Sequence, residues 1–378
     1  MLYRTMPQTG DKVSILGYGC MRFPLNSEGG IDENRATALI RRAIDSGVNY
    51  IDTAWPYHGG ESEPVVGRAL SGGYREKVFL ATKLPSWLVE TPSDMDRFLD
   101  EQLEKLQTDH IDYYLLHSLN QDRWDIMENN EYAAFLDRAL ADGRIRRAGF
   151  SFHDQLPLFK KIVDAYPWHF CQIQYNFLDT EYQAGTEGLK YAAEKNIGMV
   201  IMEPLRGGNL AANVPEDIQA IWNESSRKLS PAGWALRWIW DHPEVQVVLS
   251  GMTTEEDLSD NLASAEGAEP GSLTEAEKEM VGRVKREYRS RMKVLCTGCQ
   301  YCMPCPAGVN IPECFNRYNM AFMFDDAEKA RQTYPVFVKS GARASDCVKC
   351  GACEVQCPQN LPIRDCLDAV KELLEPEM

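Results

Sequence analysis

Ten of the twelve cysteines of this chain lie in its last quarter, and their spacing is that of metal ligands. They form two runs, CTGCQYCMPCP from Cys296 and CVKCGACEVQCP from Cys347. The second run has the C-x2-C-x2-C-x3-C-P spacing of [4Fe–4S] ligands, in which the fourth cysteine binds the other cluster of a pair. The first run has one residue fewer before its last cysteine. Thiolates at this spacing predict iron–sulfur chemistry.

The two cysteine runs are copies of one unit. Cys305 and Cys357 are each followed by proline and, nine residues later, by another cysteine, Cys314 or Cys366. A duplicated unit of three cysteines plus one predicts two [4Fe–4S] clusters with crossed ligation. One cluster takes Cys296, Cys299, Cys302 and Cys357, and the other takes Cys347, Cys350, Cys353 and Cys305. Zinc also accepts four thiolates, but zinc ribbons use two separated C-x2-C pairs and need no third cysteine in step.

Four cysteines lie outside the predicted ligand sets. Cys20, Cys171, Cys314 and Cys366 are expected to pack as small apolar residues with free thiols. Free thiols beside iron–sulfur ligands predict a reducing cytoplasm.

The net charge of -16 argues against nucleic acid or an anionic membrane as a partner. No apolar run approaches the roughly 18 residues of a membrane span, and the N-terminus lacks a signal-peptide core.

A second group of ionisable residues follows the predicted strands of the first 290 residues. Its members are Asp52, Tyr57, Lys83 and His117. A carbonyl that accepts hydride needs a proton for its developing alkoxide. Tyrosine, with a pKa of about 10, serves poorly at neutral pH unless a cation lowers that pKa. Lys83 can supply the charge, Asp52 can hold Lys83, and His117 can orient the carbonyl.

The elements that must position these groups are short β-rich runs alternating with stretches of helical period. The runs are Val13–Leu16, Val48–Ile51, Val78–Ala81, Ile111–Leu116, Arg147–Phe150, Phe170–Ile173, Met199–Met202 and Val245–Leu249. Between them, Glu33–Asp45 places its apolar residues on one helical face and ends at Gly47. Eight such units fit the roughly 250 residues of a (β/α)8 TIM barrel, whose active sites lie at the C-terminal mouth. A doubly wound sheet is the alternative, but no G-x-G-x-x-G opens the first helix.

A break at Glu266–Ser272 and a long charged helix at Leu273–Arg291 follow the eighth unit. We therefore predict an α/β fold with two domains. Residues 1–290 form a (β/α)8 TIM barrel with a trailing helix. Residues 291–378 form a small, mainly helical ferredoxin-like domain with two clusters.

The barrel region resembles the aldo-keto reductase family over roughly residues 10–265. The similar segments are LGYGCMRF, DTAWPYHGGESEPVVGRAL, ATK, DYYLLH, GFS, QIQYN, MEPLRGG and SGM…DN. With its cysteine-rich tail, the whole chain resembles the iron–sulfur-containing branch of that family. The resemblance implies a nicotinamide-dependent oxidoreductase that interconverts a small-molecule carbonyl and an alcohol. It assigns acid–base catalysis to Tyr57, tuning to Lys83 and Asp52, and substrate orientation to His117.

The same resemblance implies contacts to the nucleotide. Ser151 and Gln172 would hold the nicotinamide carboxamide, and Pro204–Gly208 would wrap the pyrophosphate. The full implied set is Gly19, Cys20, Met21, Asp52, Ser151, Gln172, Met202, Pro204, Leu205, Gly207, Gly251 and Asn261. Two departures stand out: Phe152 where many members have Asn, with His153 as the substitute, and Met202 where many stack a Tyr on the ring.

The region of the eighth strand lacks the cations with which NADPH-binding members clamp the 2′-phosphate. No Lys or Arg lies between Arg237 and Lys278, and Gly251 stands where one is expected. The acidic run Glu255–Asp257 would repel a phosphate, whereas a carboxylate can accept a ribose hydroxyl. We therefore expect NAD(H) to be preferred over NADP(H). The same acids also suit the first turn of a helix that starts near Thr254. The cations of the preceding loop that could reach in are Arg206, Arg227 and Lys228.

The clusters raise a question of electron count. Nicotinamide moves two electrons as hydride, each cluster usually moves one, and no flavin signature is present. The clusters are therefore expected to transfer electrons to a redox partner protein, to sense redox state or to support the structure. The alternative is a nucleotide-binding redox sensor or accessory electron-transfer subunit without carbonyl reductase turnover. Such a sensor would not need a proton donor.

Overall fold

The structure is a computed structural model that describes residues 1–212 and 214–376. The chain divides into two compact units. The first contains Met1–Leu210 and Leu229–Lys278, and the second contains Ala211–Lys228 and Glu279–Met378. This division differs from the sequence-based boundary between residues 290 and 291.

Unit 1 is built on eight parallel strands that close into a barrel in the order β10-β3-β4-β5-β6-β7-β8-β9. These strands are β3 (Leu16–Gly19), β4 (Tyr50–Asp52), β5 (Phe79–Leu84), β6 (Ile111–Leu119), β7 (Ile145–Phe152), β8 (Phe170–Gln174), β9 (Gly198–Met202) and β10 (Val245–Ser250). Closure comes from β10, which pairs with β3 through Val248 and Leu16. The predicted (β/α)8 barrel is confirmed.

The start of the barrel differs from the prediction. The apolar run Val13–Leu16 does not form one strand, because the chain bends between two. β1 (Tyr3–Thr5) and β2 (Lys12–Ser14) pair as an antiparallel hairpin, and the first barrel strand begins only at Leu16. Periodicity alone could not show the bend, because the single residue that separates β2 from the first barrel strand, Ile15, is itself apolar and makes the run look continuous.

The helices of unit 1 follow the strands. They are α1 (Glu33–Asp45), α2 (Ser62–Ala69), α3 (Pro92–Leu106), α4 (Gln121–Asn129), α5 (Tyr132–Ala141), α6 (Leu156–Ala165), α7 (Gly185–Glu194), α9 (Pro231–Trp240) and α10 (Glu255–Ala265). In α1 the Asp32 side chain accepts from the Arg35 N–H at the N-terminus, and Gly47 adopts φ 96° just past the end. The face that this helix buries is Ala36, Leu39, Ile40, Ala43 and Ile44, as its period predicts.

The N-terminal end of the barrel is filled by large apolar side chains. Tyr50, Tyr113 and Phe170 pack there, with ring centroids about 5 Å apart, and Met6 and Val13 of the hairpin region pack against them. A barrel filled at this end leaves the C-terminal mouth as the place where polar groups can converge.

Unit 2 is helical. Its helices are α8 (Glu216–Asn223), α11 (Glu275–Ser290), α12 (Ile311–Met323), α13 (Ala327–Phe337), α14 (Ala352–Gln356) and α15 (Ile363–Leu374), where α11 begins in the last residues of unit 1. An ion pair between Arg283 and Glu224, at 2.8 Å for Nη2 to Oε1, ties α11 to the end of α8. Phe315, Leu367 and Val370 are fully buried where α12 and α15 pack. Across the described residues, no helix is both long enough and apolar enough for a bilayer span.

Candidate active site and cluster sites

Three of the four predicted ionisable residues lie at the carboxyl ends of neighbouring strands. Asp52 ends β4, Lys83 is the second-last residue of β5, and His117 lies in the last part of β6. Because parallel strands end at the same face of a barrel, these side chains share its C-terminal mouth. Tyr57 begins the 3-10 turn Tyr57–Gly60 in the loop after β4 and reaches the same place.

Lys83 is the centre of this site. Its Nζ donates to Asp52 Oδ1 at 2.7 Å, to the Thr53 carbonyl oxygen at 2.7 Å and to the Tyr57 hydroxyl at 3.3 Å. Burial disfavours the ammonium, but Asp52 and Tyr57 outweigh it, so the pKa of Lys83 is raised. A buried cation is therefore held against the Tyr57 hydroxyl.

Tyr57 differs from the expectation in one respect. Burial raises its pKa, and the opposite pull of the Lys83 ammonium does not compensate. Lys83 lowers the pKa of Tyr57 as expected, but the net result of burial and charge is a raised pKa. Tyr57 is therefore a neutral phenol at neutral pH, which is the protonation state that a proton donor requires.

His117 lies between two aromatic rings. Its ring centroid is 6.2 Å from that of Tyr57 and 5.3 Å from that of Trp87. Burial lowers the pKa of His117 well below its usual value, and the charges of Lys83 and Arg123 act in the same direction. A neutral imidazole keeps one N–H donor and one acceptor nitrogen. Within the described residues its buried Nδ1 has no hydrogen-bond partner, so this side chain can bind a ligand oxygen.

Two predicted nucleotide contacts lie beside this group with unused polar capacity. Ser151 Oγ accepts from the Ser118 N–H at 2.6 Å, which leaves its hydroxyl proton to donate. Gln172 Nε2 donates to Asp52 Oδ2 at 3.3 Å. The Gln172 Oε1 is buried and has no partner in the part of the chain that is described. A free donor and a free acceptor side by side match a carboxamide group.

The other predicted contacts form a rim around the mouth. Gly19 ends β3, and Cys20 and Met21 follow it. Met202 ends β9, and Pro204, Leu205 and Gly207 lie in the loop after it. Gly251 follows β10, and Asn261 is buried in α10, where its Nδ2 donates to Ser250 Oγ at 2.7 Å. Asn261 therefore holds the end of β10, while Met21, 53% exposed, lies open at the rim.

Arg22 is a residue of this rim that the sequence reasoning missed. Its aliphatic chain comes within 3.2 Å of the position that a Cβ of Gly251 would occupy, and its Nη2 within 3.4 Å of that of Gly207. Both glycines belong to the predicted nucleotide contacts, and a cation between them suits a phosphate ligand. The signal was its place directly after Met21 in GCMRF.

The cysteines of unit 2 surround two voids. One void is lined by Cys296, Cys299, Cys302 and Cys357. A second is lined by Cys305, Cys347, Cys350 and Cys353. Each void takes three cysteines from one run and its fourth from the other, so the two sets are those that the duplicated spacing predicts. Their role as ligands stays a prediction.

Backbone groups around the voids also repeat. The Gly298 N–H donates to Cys296 Sγ, and the Lys349 N–H donates to Cys347 Sγ, each at 3.4 Å. Donors to cysteine sulfur stabilise the charge of an iron–sulfur cluster, so these residues fit such a group. By contrast, Cys314 lies outside both linings and is buried against the Tyr334 hydroxyl, and burial raises its pKa to about 12.

Comparison with known proteins decides the family. The model of the aldo/keto reductase family matches residues 15–269. This chain belongs to the aldo-keto reductase family. The model of a 4Fe-4S dicluster domain matches residues 295–361, which confirms the predicted iron–sulfur domain.

Individual aldo-keto reductases resemble this chain over much of its length. It is 32% identical over 229 residues to the aldo-keto reductase YhdN of Bacillus subtilis, covering 57% of this chain and 66% of that protein. It is 27% identical over 288 residues to L-galactose dehydrogenase of Arabidopsis thaliana, covering 69% and 87%. The structure of an aldo-keto reductase from Klebsiella pneumoniae in complex with NADPH superimposes with a TM-score of 0.60 at 25% identity, covering 75% and 96%.

Two local features of this aldo-keto reductase bear on the sequence-based reasoning about the nucleotide. Phe152 points into the core, where its ring packs 5.1 Å from that of Phe159. The acids at the start of α10 have partners within the protein: Asp257 accepts from the N–H groups of Thr253 and Thr254, and Glu255 pairs with Arg42. Two observations still argue against binding of a 2′-phosphate: the negative charge of Glu256, and the absence of Lys and Arg from the sequence between Arg237 and Lys278.

Proposed function

We propose that this aldo-keto reductase interconverts a carbonyl and an alcohol by hydride transfer with a nicotinamide cofactor, and that Tyr57 is its proton donor. The observation that carries the proposal is the buried Lys83, which binds Asp52 on one side and the Tyr57 hydroxyl on the other. A sensor of nucleotides would not require this arrangement. The name of the related L-galactose dehydrogenase supports chemistry on a hydroxyl or carbonyl carbon.

The chain supplies the proton side of the reaction. The Tyr57 hydroxyl donates its proton to the oxygen of the reduced carbonyl, which leaves a phenolate. The Lys83 ammonium lies 3.3 Å from the Tyr57 hydroxyl oxygen and stabilises the phenolate, and Asp52 fixes the ammonium in place. The neutral His117 donates to the carbonyl oxygen and orients it. In the direction of alcohol oxidation the same groups take the proton back.

The remaining groups of the mouth fit a nicotinamide nucleotide. The cofactor, when bound, supplies or accepts the hydride. Ser151 and Gln172 bind its carboxamide with the free donor and acceptor described above, and Arg22 binds its phosphates between Gly207 and Gly251. The NADPH-bound relative from Klebsiella pneumoniae supports a nucleotide at this mouth.

Unit 2 carries two [4Fe–4S] clusters in this proposal, one in each cysteine-lined void. Cys299 and Cys350, one from each proposed ligand set, are exposed. Exposed ligands would give a redox partner protein access to each cluster, and oxygen-sensitive clusters with free thiols support a cytoplasmic location.

The nucleotide preference gives a first prediction. We expect NADH to bind more tightly than NADPH, because residues 238–277 contain no Lys or Arg for the 2′-phosphate, Arg22 binds the pyrophosphate in this proposal, and Glu256 repels a further phosphate. Fluorescence titration of the anaerobic holoenzyme with each nucleotide measures the two dissociation constants. Equal or tighter binding of NADPH contradicts the prediction.

The pH dependence gives a second prediction. Burial raises the pKa of Tyr57 and lowers that of His117, so both keep their active protonation state through the neutral range. The kcat/KM of carbonyl reduction is therefore expected to stay flat between about pH 6.5 and about pH 9. Alcohol oxidation needs deprotonated Tyr57, so its kcat/KM is expected to rise with pH over the same range. An inflection near neutrality in the reduction profile shows that another group titrates in the mechanism.

The experiment for the proposal as a whole is anaerobic purification with iron and sulfide analysis, followed by a panel of aldehydes and ketones with NADH and NADPH. Turnover of carbonyls is the expected result, and binding of nucleotide without any turnover favours the sensor. The same preparation shows whether NADH reduces the clusters. A reduced-cluster electron paramagnetic resonance signal supports electron transfer, and its absence supports a structural or sensing role.

A further inference from the structure

We propose that Arg123 selects carbonyl substrates that carry a carboxylate at some distance from the carbonyl. This inference rests on the carbonyl chemistry proposed for Tyr57 and names the class of substrate. Nothing in the sequence pointed to it, because the overall acidity of the chain suggests the opposite. The argument comes from the surroundings of His117.

Arg123 stands in a row of three side chains that begins at the proposed proton-donor site. It lies in the first turn of α4, the helix that follows the strand of His117. Its Cζ is 5.1 Å from the centroid of the Trp87 ring, and that centroid is 5.3 Å from the His117 ring. A substrate whose carbonyl meets His117 and Tyr57 can therefore lie along Trp87 with its far end at the guanidinium.

The charge of Arg123 is not balanced by the protein. Its Nη1 donates to the carbonyl and hydroxyl oxygens of Ser118, which are neutral. Among the described residues no carboxylate forms an ion pair with it, and the acid that acts on it is its exposed neighbour Asp122. A half-buried cation without a counter-ion is unfavourable until an anion arrives. The site is thus complementary to a negative group.

The nearby titratable groups do not supply that negative charge. Burial, with Arg123 also contributing, lowers the pKa of His117 and of His153, to about 4 for His153. Both imidazoles are therefore neutral at neutral pH, and the charge of Lys83 is paired with Asp52. Asp154, beside the start of α4, accepts from the Gln121 N–H and forms no ion pair with Arg123 among the described residues.

Arg123 also has a structural contact that must be separated from ligand binding. Ser118 has the left-handed φ of 57°, an uncommon conformation for a residue that is not glycine, and Nη1 of Arg123 stabilises it. This contact uses one end of the guanidinium. The Nε and Nη2 groups have no acceptor within the described protein, and together they form the fork that binds a carboxylate through two hydrogen bonds.

The contacts of Trp87 indicate the shape of the substrate. Its ring contacts the imidazole of His117 and the guanidinium of Arg123, each at about 5 Å. A small 2-oxo acid, whose carboxylate is bonded to the carbonyl carbon, offers no part that can pack on this ring. The fitting class is an aldehyde or ketone with a carboxylate several bonds away and a flat or apolar part that packs on Trp87.

The test compares 4-carboxybenzaldehyde with its methyl ester, methyl 4-formylbenzoate, in the holoenzyme. The wild-type kcat/KM is expected to favour the acid by about tenfold or more, the size of one charge-assisted bidentate contact. In Arg123→Gln this acid-to-ester ratio is expected to fall about tenfold. Arg123→Lys keeps the charge without the fork and is expected to fall between the two. Arg35→Gln, which removes an exposed arginine of α1, is the control and leaves the ratio unchanged.

A wild-type enzyme that does not discriminate between acid and ester overturns the inference. So does an Arg123→Gln variant that loses both substrates equally, because Arg123 then only supports Ser118. Calorimetric binding of 4-(hydroxymethyl)benzoate gives a second readout without turnover, and a loss of about tenfold in affinity is expected in Arg123→Gln. If neither aldehyde is reduced while this carboxylate binding depends on Arg123, the proposed function fails and the inference about Arg123 stands.

Discussion

Tyr57→Phe is expected to lower the kcat of carbonyl reduction by a factor of about 10² to 10⁴, the usual contribution of a positioned proton donor. The substitution removes one oxygen atom and leaves the ring that packs beside His117. In the proposed mechanism Tyr57 supplies the proton and Lys83 only stabilises the resulting phenolate, so Lys83 does not replace the lost hydroxyl. Steady-state kinetics on any carbonyl that the wild-type enzyme reduces measures the effect.

The matched control is Tyr132→Phe, which removes a hydroxyl in α5 that donates to the Ala165 carbonyl oxygen. It is expected to leave kcat within about twofold, since a single partly exposed hydrogen bond affects stability rather than chemistry. Fluorescence titration should show that Tyr57→Phe still binds nucleotide. If its reduction activity survives within a few-fold, Tyr57 is not the donor.

Cys357→Ala is expected to remove the cluster that we propose for the first cysteine run, although Cys357 belongs to the second run. The reason is its place in the lining of the void that Cys296, Cys299 and Cys302 also surround. Iron is expected to fall from about eight to about four atoms per chain, because the other cluster keeps its four thiolates. Iron and sulfide analysis measures the loss, and alanine is chosen because it has no ligand atom.

Spectra decide whether the ligation is crossed. Cys357→Ala and Cys299→Ala are expected to lose the same component of the electron paramagnetic resonance spectrum, and Cys350→Ala the other. If Cys357→Ala instead matches Cys350→Ala, each run binds its own cluster. Cys366→Ala is the control, since Cys366 lies outside both voids and is expected to keep the full iron content.

Much of the active site could be predicted from the sequence because strand ends in a parallel barrel meet at one face. The positions of Asp52, Lys83 and His117 after successive strands were enough to place them together. The role of Trp87 and Arg123 could not be predicted in this way. They lie in a 3-10 turn and a helix after different strands, and only packing brings them beside His117.

Burial and local capping account for the other differences. The pKa of Tyr57 depends on how much protein surrounds its hydroxyl, which a motif does not record. Asp257 accepts hydrogen bonds from the backbone at the start of α10, which is the alternative that the sequence left open for these acids. The bend before Leu16 depends on the pairing of β2 with β1. The alternation of residues within one strand does not show which strand it pairs with.

The crossed arrangement of the cysteines has a consequence for the order of events during synthesis of the chain. The ribosome completes the first run about fifty residues before it reaches Cys357, yet the first void has only three of its four sulfurs until then. The second void is incomplete in the same way, because Cys305 is synthesised well before Cys347, Cys350 and Cys353. Under the proposed crossed ligation, neither cluster gains its full ligand set until both cysteine runs have been synthesised. Complete binding of either cluster then follows the synthesis of the whole barrel.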